Sequence, residues 1–255
     1  MPAAIFTWPY PLVIAHRGGG ILVPENTLAG MRLAVQRGFR GVEFDVMLAR
    51  DGVPVLMHDP QLGRTVAGHG PVAAHTAAEL KAMDAGSWLG AAFAGEPVPS
   101  LAAVTAFCRA AGLWMNVEIK PAAGAEVQTG AAVAELLHAA FATEAKSCTA
   151  PLLSSFSQAA LQAAEAVAPE LPRAWLVDRV PADWQARCAV LRVVSLHVNH
   201  RHLDEGTARN IKQAGLGLFC YTINDPARAR EVLGWGVDAF CTDRLDLIGP
   251  EFTAV

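Results

Sequence analysis

Residues 13–18 read VIAHRG and residues 41–46 read GVEFDV, and these two segments decide the fold that the sequence predicts. Each is an apolar run that carries polar side chains, which is typical of a buried strand delivering polar groups to a site. Side chains alternate across a strand, so Glu43 and Asp45 face the same way. A glycine run, Gly18 to Gly20, follows the first segment and lets the backbone turn or approach a ligand closely.

Strand-like and helix-like segments alternate about eight times along the whole chain. Strands are predicted at 13–18, 41–46, 53–57, 113–120, 151–156, 174–177, 193–198, 216–223 and 237–241. Helices are predicted at 28–35, 101–111, 125–142, 158–168, 182–191, 204–214 and 226–233. This alternation indicates an α/β protein whose parallel strands are joined by helical crossovers.

The positions of the polar residues favour a closed barrel over a doubly wound open sheet, which has the same alternation. Seven of these residues lie late in strands or just after them: His16, Glu43, Asp45, His58, Glu118, Asn199 and Thr242. In a (β/α)8 TIM barrel those strand ends converge on one mouth, whereas an open sheet spreads them along a line. We therefore predict a TIM barrel.

The length of 255 residues fits one domain spanning 1–255, with a small insertion after the second strand. That insertion is expected at about 60–95, where glycines and prolines are frequent and no strand pattern occurs. Thr76 and Glu79 have the spacing of a capping box and predict a short helix inside it. Ser100 and Gly112 are predicted to cap the helix that follows the insertion.

Composition argues against several classes of function. The net charge of −4 offers no basic surface for nucleic acid. Five cysteines without a CxxC pair suit reduced, buried thiols in a cytoplasmic protein. The prolines near the start and the lack of a basic region before an apolar core argue against a signal peptide, and the longest uncharged stretch, 147–164, is too polar for membrane insertion.

Three carboxylates are the candidate ligands of one divalent metal ion, Mg²⁺ or Ca²⁺. Glu43, Asp45 and Glu118 offer the hard oxygen ligands that these ions prefer. Buried carboxylates that share a face repel one another, so a cation is expected between them. The alternatives are that Glu43 and Asp45 pair with buried Lys or Arg side chains, and that Glu118 pairs with Lys120 on its own strand face.

His16 and His58 are the candidate general acid and base, and Arg17 and Lys120 the candidate phosphate ligands. An imidazole titrates near neutral pH, and fixed cations suit phosphate oxygens. Each histidine has the alternative of being a structural group at a strand end. A zinc cluster of His197, His200 and His202 is the less favoured interpretation, because the last two are expected in a solvated loop.

The ordered motifs from about Leu12 to Asp246 resemble the glycerophosphodiester phosphodiesterase family. The matching segments are 16–18, 24–27, 41–45, 51–55 with 58–59, 118–120, 221–224 and 236–243. Residues 62–65 and 84–88 resemble the small insertion of these enzymes. The resemblance implies metal ligation by Glu43, Asp45 and Glu118, proton transfer by His16 and His58, and phosphate binding by Arg17 and Lys120. Tyr221 stands where many members have Trp, so an aromatic contact with glycerol is expected there.

The activity implied is hydrolysis of glycerophosphodiesters, such as glycerophosphocholine or glycerophosphoethanolamine, to sn-glycerol 3-phosphate and an alcohol. The neighbouring glycerol hydroxyl is expected to attack first and form a cyclic phosphate, which water then opens. Resemblance to the bacterial branch implies a cytoplasmic location, and a homo-oligomer is left open. Two competing hypotheses are a phospholipase D-like enzyme acting on lysophospholipid head groups and a non-catalytic binder of phosphate-bearing metabolites.

Overall fold

The computed structural model describes residues 6–142 and 150–253, and its centre is a sheet of nine strands. The strands are β1 (Val13–Ala15), β2 (Gly41–Leu48), β3 (Pro54–Leu56), β4 (Trp114–Ile119), β5 (Leu152–Ser155), β6 (Arg173–Val177), β7 (Ser195–Asn199), β8 (Gly217–Tyr221) and β9 (Ala239–Thr242). All of them except β3 run parallel to their neighbours.

The first strand closes the sheet into a barrel. Strand β1 pairs with β2 on one side, Ala15 opposite Val42, and with β9 on the other, Ile14 opposite Cys241. The eight parallel strands therefore form a ring in the order β1, β2, β4, β5, β6, β7, β8, β9. The predicted TIM barrel is confirmed, and the doubly wound open sheet is excluded.

Helices cross between successive barrel strands, and one further short helix lies in the insertion. They are α1 (Leu28–Gln36), α2 (Ala77–Lys81), α3 (Leu101–Ala111), α4 (Glu126–Phe141), α5 (Gln158–Val167), α6 (Trp184–Leu191), α7 (Glu205–Gln213) and α8 (Pro226–Gly234). The caps predicted for α3 are present: the Ser100 hydroxyl accepts a hydrogen bond from the Ala103 N–H, and Gly112 adopts a left-handed φ of 64°.

Apolar side chains fill the barrel interior at the amino-terminal ends of the strands. Early strand positions supply a buried apolar cluster that includes Ile14, Trp114 and Phe219. The Trp8 ring stacks on Phe219 and the Tyr10 ring stacks on Trp114, with centroids 6.0 and 4.2 Å apart. Apolar packing at this end leaves the opposite mouth for polar side chains.

Strand β3 corrects one expectation. The strand predicted at 53–57 is present, but it runs antiparallel to β2, with Val46 opposite Leu56, and it is not a barrel strand. Only five residues separate β2 from β3, and a parallel crossover needs a dozen or more. Gly52, with φ of 77°, makes the reversal. His58 therefore reaches the mouth because the chain folds back.

The insertion after this hairpin packs around a small core that it shares with the hairpin. Buried Leu62, Val66, Val72 and Leu80 belong to a cluster separate from the main barrel core. The predicted capping box is confirmed, since Thr76 and Glu79 exchange the two expected hydrogen bonds at the start of α2. The segment 60–95 contributes no strand to the sheet and contains only short helices and isolated β-bridges.

The structure also bears on the cysteines and on membrane insertion. Cys108, Cys188, Cys220 and Cys241 are buried and free, as expected, whereas Cys148 lies outside the described residues. Within 6–142 and 150–253, no helix has the length and hydropathy needed to cross a bilayer.

Candidate active site at the barrel mouth

Strand register brings the three candidate metal ligands together. Asp45 on β2 lies directly opposite Glu118 on β4, and Glu43 precedes Asp45 by two residues on the same face. One oxygen from each of the three carboxylates lies within 4.8 Å of the others. It is the only such group of metal-ligating side chains found in the described parts of the chain.

Two cations, one just after β1 and one just after β4, border this cluster. Lys120 Nζ donates to Asp45 Oδ1 over 3.2 Å and lies 3.5 Å from Glu118 Oε1. Arg17 Nε lies 3.5 Å from Asp45 Oδ2, and the Arg17 backbone N–H donates to Glu43 Oε2. The ion pairs considered as alternatives to a metal are therefore present for Asp45 and Glu118. Three carboxylates still face two permanent cations, so one negative charge remains when all three are ionised.

The pKa values of the acids show how this charge is distributed. Burial raises the pKa of Glu43 and of Glu118, and the neighbouring Asp45 carboxylate raises both further. Burial also acts to raise the pKa of Asp45, but the charges of Lys120 and Arg17 outweigh it and hold that pKa low. A divalent cation would stabilise the ionised form of the two carboxyls whose pKa values are raised, beside a third that is already ionised.

His16 is held by an acid from the far end of the chain. His16 Nδ1 lies 2.5 Å from Asp243 Oδ1, and its Nε2 lies 3.7 Å from Glu43 Oε2. Asn224 fixes the Asp243 carboxylate by donating to Oδ2 and accepting from the Asp243 N–H. Burial lowers the pKa of His16, but the Asp243 hydrogen bond and the Glu43 charge outweigh burial and raise it overall.

His58 has a carboxylate partner of its own, in the next residue. His58 Nδ1 lies 2.6 Å from Asp59 Oδ1. Burial lowers the pKa of His58, assisted by the charges of Arg17 and Lys120, and this outweighs the raising effects of Asp45 and Asp59. The two imidazoles therefore have pKa values displaced in opposite directions, an arrangement that suits one acid and one base.

The glycine run turns the chain and allows a close backbone contact. Gly20 has φ of 56°, and a Cβ placed on it would lie 2.1 Å from the Asp243 carbonyl oxygen. The next residue, Ile21, donates its N–H to the same oxygen. Of the two roles expected for the glycines, the tight turn is present, and the close approach is to the Asp243 backbone.

Asn26 belongs to the site. It lies within the motif at 24–27, but the sequence predicted no role for it. Its side chain donates to Asp45 Oδ2 and accepts from the Asp45 N–H, at 2.9 and 3.0 Å. Asn26 adopts a left-handed φ of 57°, which its N–H stabilises by donating to the Arg17 carbonyl. The signal in the sequence was its place just before Thr27, the N-cap of α1.

Tyr221 lies on the opposite side of the mouth at the end of β8. Its hydroxyl donates to the Val177 carbonyl, and its ring contacts Phe156 edge to face. A groove of about 400 Å³ lies beside the acid cluster, and its wall includes Glu118, Lys120, Glu126 and Phe156. Phe156 is about half exposed there, so a ligand at the acids has room to extend.

The three histidines near β7 do not form a metal site. His197 points into the barrel interior, is fully buried and stacks on Phe219. His200 and His202 lie in a short 3-10 turn, where His202 pairs with Asp178 and Arg228 contacts His200. They are half-buried in that turn instead of solvated.

Comparison with known proteins decides the family. The model of the glycerophosphoryl diester phosphodiesterase family matches residues 16–247. The chain belongs to this family. The match spans every candidate residue described above, and membership confirms the predicted enzyme class, a phosphoric diester hydrolase.

Individual relatives agree over nearly the full length of the chain. A glycerophosphodiester phosphodiesterase of Caldanaerobacter subterraneus is 32% identical over 232 residues, covering 91% of this chain and 93% of the relative. A phosphodiesterase of Oleispira antarctica, solved with its product sn-glycerol-3-phosphate, is 38% identical with a TM-score of 0.86, covering 92% and 93%. The glycerophosphodiester phosphodiesterase of Agrobacterium tumefaciens is 28% identical with a TM-score of 0.76, covering 93% and 98%.

Proposed function

We propose that this protein hydrolyses glycerophosphodiesters to sn-glycerol 3-phosphate and an alcohol at the barrel mouth, with the help of one divalent metal ion. The observation that carries the proposal is the meeting of Glu43, Asp45 and Glu118 within 4.8 Å, bordered by His16 and two cations, with His58 near enough for its charge to lower the pKa of Asp45. The related Oleispira phosphodiesterase binds sn-glycerol-3-phosphate as its product, which supports the same product here.

Glu43, Asp45 and Glu118 would hold the metal, Mg²⁺ or Ca²⁺, because their oxygens are hard ligands and their burial penalises unneutralised charge. When bound, such an ion neutralises negative charge that develops on phosphate oxygens. Arg17 and Lys120 border the same acids and supply permanent positive charge for the phosphate. Tyr221 would contact the glycerol part of the substrate with its ring.

His16 and His58 would move the protons. One takes the proton of the glycerol hydroxyl next to the phosphate, and the other gives a proton to the departing alcohol, which yields a cyclic phosphate. Water then opens the ring, with the two histidines in exchanged roles. The intramolecular nucleophile favours this route because it is already positioned. Asp243 and Asp59 hold Nδ1 of each ring, which leaves each Nε2 for the substrate.

Three further points complete the proposal. Residues 1–255 act as one catalytic domain, with the insertion at about 60–95 as part of it. Glycerophosphocholine and glycerophosphoethanolamine are suitable substrates, since the groove beside Lys120 has room for a small alcohol. The resemblance to the bacterial branch supports a cytoplasmic location.

The test is release of sn-glycerol 3-phosphate from purified protein. We expect turnover of glycerophosphocholine or glycerophosphoethanolamine with Mg²⁺, Mn²⁺ or Ca²⁺, and loss of turnover with a chelator. Acylated lysophosphatidylcholine, run in parallel, tests the phospholipase alternative. No release from any glycerophosphodiester with any of these metals would contradict the proposal.

The roles of the histidines are tested with matched variants. His16→Ala and His58→Ala should each lower kcat by about 10²- to 10⁴-fold, the usual effect of removing a proton-transfer group. His138→Ala, at an exposed position on α4, is the control and should retain activity. Undiminished turnover in His58→Ala would exclude it as a proton donor or acceptor.

A further inference from the structure

Arg64, at the start of the insertion, joins two carboxylates beside the candidate active site. Its Nε donates to Asp59 Oδ2 over 2.5 Å. Its two terminal nitrogens donate to both oxygens of Glu25, over 2.7 and 2.8 Å. All three nitrogens of the planar guanidinium thus donate hydrogen bonds, a geometry that Lys cannot reproduce.

Each of these carboxylates also holds a side chain of the site. Glu25 Oε1 accepts from Arg17 Nη1 over 2.9 Å, and Asp59 Oδ1 lies 2.6 Å from His58 Nδ1. A continuous chain of charged contacts therefore runs from His58 through Asp59, Arg64 and Glu25 to Arg17. Its ends are the candidate proton-transfer group and the candidate phosphate ligand.

We propose that Arg64 is a positioning residue, which sets His58 and Arg17 relative to each other by fixing Asp59 and Glu25. This inference rests on the proposed function, because it assigns Arg64 a part in that same reaction. Nothing in the geometry places Arg64 on the substrate. Its effect is transmitted through the two carboxylates.

The local electrostatics support a specific role for this contact. Glu25 is mostly buried, with only 11% of its side chain exposed. Burial acts to raise its pKa, but the hydrogen bond from Arg64 and the charge of Arg17 outweigh burial and lower it. Without Arg64, Glu25 would keep only Arg17, and Asp59 would lose the bond that holds its second oxygen. Both carboxylates would then be free to reorient with their partners.

The competing explanation is that Arg64 merely docks the insertion on the barrel. Its side chain is 46% exposed, and exposed ion pairs typically contribute little to stability. Arg50 provides a matched control for this explanation. It is similarly exposed and contacts the insertion through the Ala74 carbonyl and Glu79, but it takes no part in the charged contacts that link His58 to Arg17.

The experiment compares Arg64→Ala, Arg64→Lys and Arg50→Ala with the wild type, metal supplied, on glycerophosphodiester hydrolysis. We expect Arg64→Ala to lower kcat by about 10- to 100-fold, the size of effect that misplaced catalytic groups produce, with KM changed less than about threefold. Arg64→Lys should recover little, because Lys lacks the planar guanidinium. Guanidinium at millimolar concentration should partly restore Arg64→Ala, while Arg50→Ala keeps wild-type kcat.

Several results would overturn the positioning role. These are wild-type kcat in Arg64→Ala, an equal loss in Arg50→Ala, or a loss that guanidinium does not relieve and that follows a fall in melting temperature. A wild-type protein without activity counts instead against the proposed function. The two failures are therefore distinguishable in one assay.

Discussion

His16 Nδ1 lies 2.5 Å from Asp243 Oδ1, although the two residues are 227 positions apart in the chain. The contact follows from closure of the barrel. Strands β1 and β9 pair in parallel with Ala15 opposite Thr242, so the residues that follow each strand are neighbours at the mouth. The orientation of the imidazole therefore depends on the first and last strands being joined.

Asp243→Asn should lower kcat by at least about tenfold, since losing an orienting partner costs about 10- to 100-fold at metal-bound histidines and more at catalytic ones. The carboxylate accepts from Nδ1 and leaves Nε2 facing the acid cluster. An amide can instead donate to Nδ1 and favour the other tautomer. Steady-state kinetics on a glycerophosphodiester check this, with Asp246→Asn as the control, because Asp246 is exposed and pairs with nearby Arg244. Equal kinetics for Asp243→Asn and wild type would contradict the positioning of His16.

Gly20→Ala should reduce both stability and activity. Its Cβ would overlap the Asp243 carbonyl, so the loop that carries the partner of His16 must shift. Gly70→Ala isolates the effect of backbone conformation, since Gly70 also has a positive φ, 89°, but has no atom near the added Cβ. We expect Gly70→Ala to lose only about 1 kcal/mol and to keep its kcat. A Gly20→Ala protein with the kinetics and stability of Gly70→Ala would show that the loop absorbs the overlap.

Much of this architecture could be predicted because it depends on local periodicity. The alternation along β2 places Glu43 and Asp45 on one face, and this face is inward in the structure. The capping box of α2 and the caps of α3 depend on residues three apart. Such patterns lie within one element and are readable without knowing its neighbours.

The partners of His16 and Asp45 could not be read in this way. The contact of Asp243 with His16 and the bonds of Asn26 to Asp45 join separate elements, and only the closed barrel determines them. The antiparallel direction of β3 was readable, since its connection to β2 is too short for a crossover. The side chain of His197 had no local signal for its position in the barrel interior.

Metal binding should weaken as the pH falls. Burial and the nearby carboxylates raise the pKa of Glu43 and of Glu118, so at lower pH a cation must displace protons from them. The apparent Kd for Mg²⁺ or Ca²⁺ should therefore rise as the pH is lowered from 8 to 6. Calorimetry in two buffers with different ionisation enthalpies measures the protons released.

Glu118→Gln tests the same site without a change of pH. It should weaken metal binding by at least tenfold and remove about half of the proton release, because one of the two carboxyls with a raised pKa is lost. Glu126→Gln is the control, since Glu126 borders the adjoining groove but is not part of the acid cluster. Equal weakening in both variants would indicate general electrostatic attraction instead of ligation.

His197→Phe should make the protein less sensitive to acid. Burial lowers the pKa of His197 to about 3, far below the value of about 6.5 expected when the chain unfolds. Between these values the unfolded chain binds a proton that the folded protein does not, so wild-type stability falls as the pH falls. The variant lacks this effect, and its stability relative to wild type should grow by about 1.4 kcal/mol per pH unit below pH 6.5. Urea unfolding at several pH values from 4.5 to 7.5 measures it, and the same substitution at exposed His69 gives the background effect of replacing a histidine. A stability difference that stays constant with pH would mean that His197 is protonated in the folded barrel.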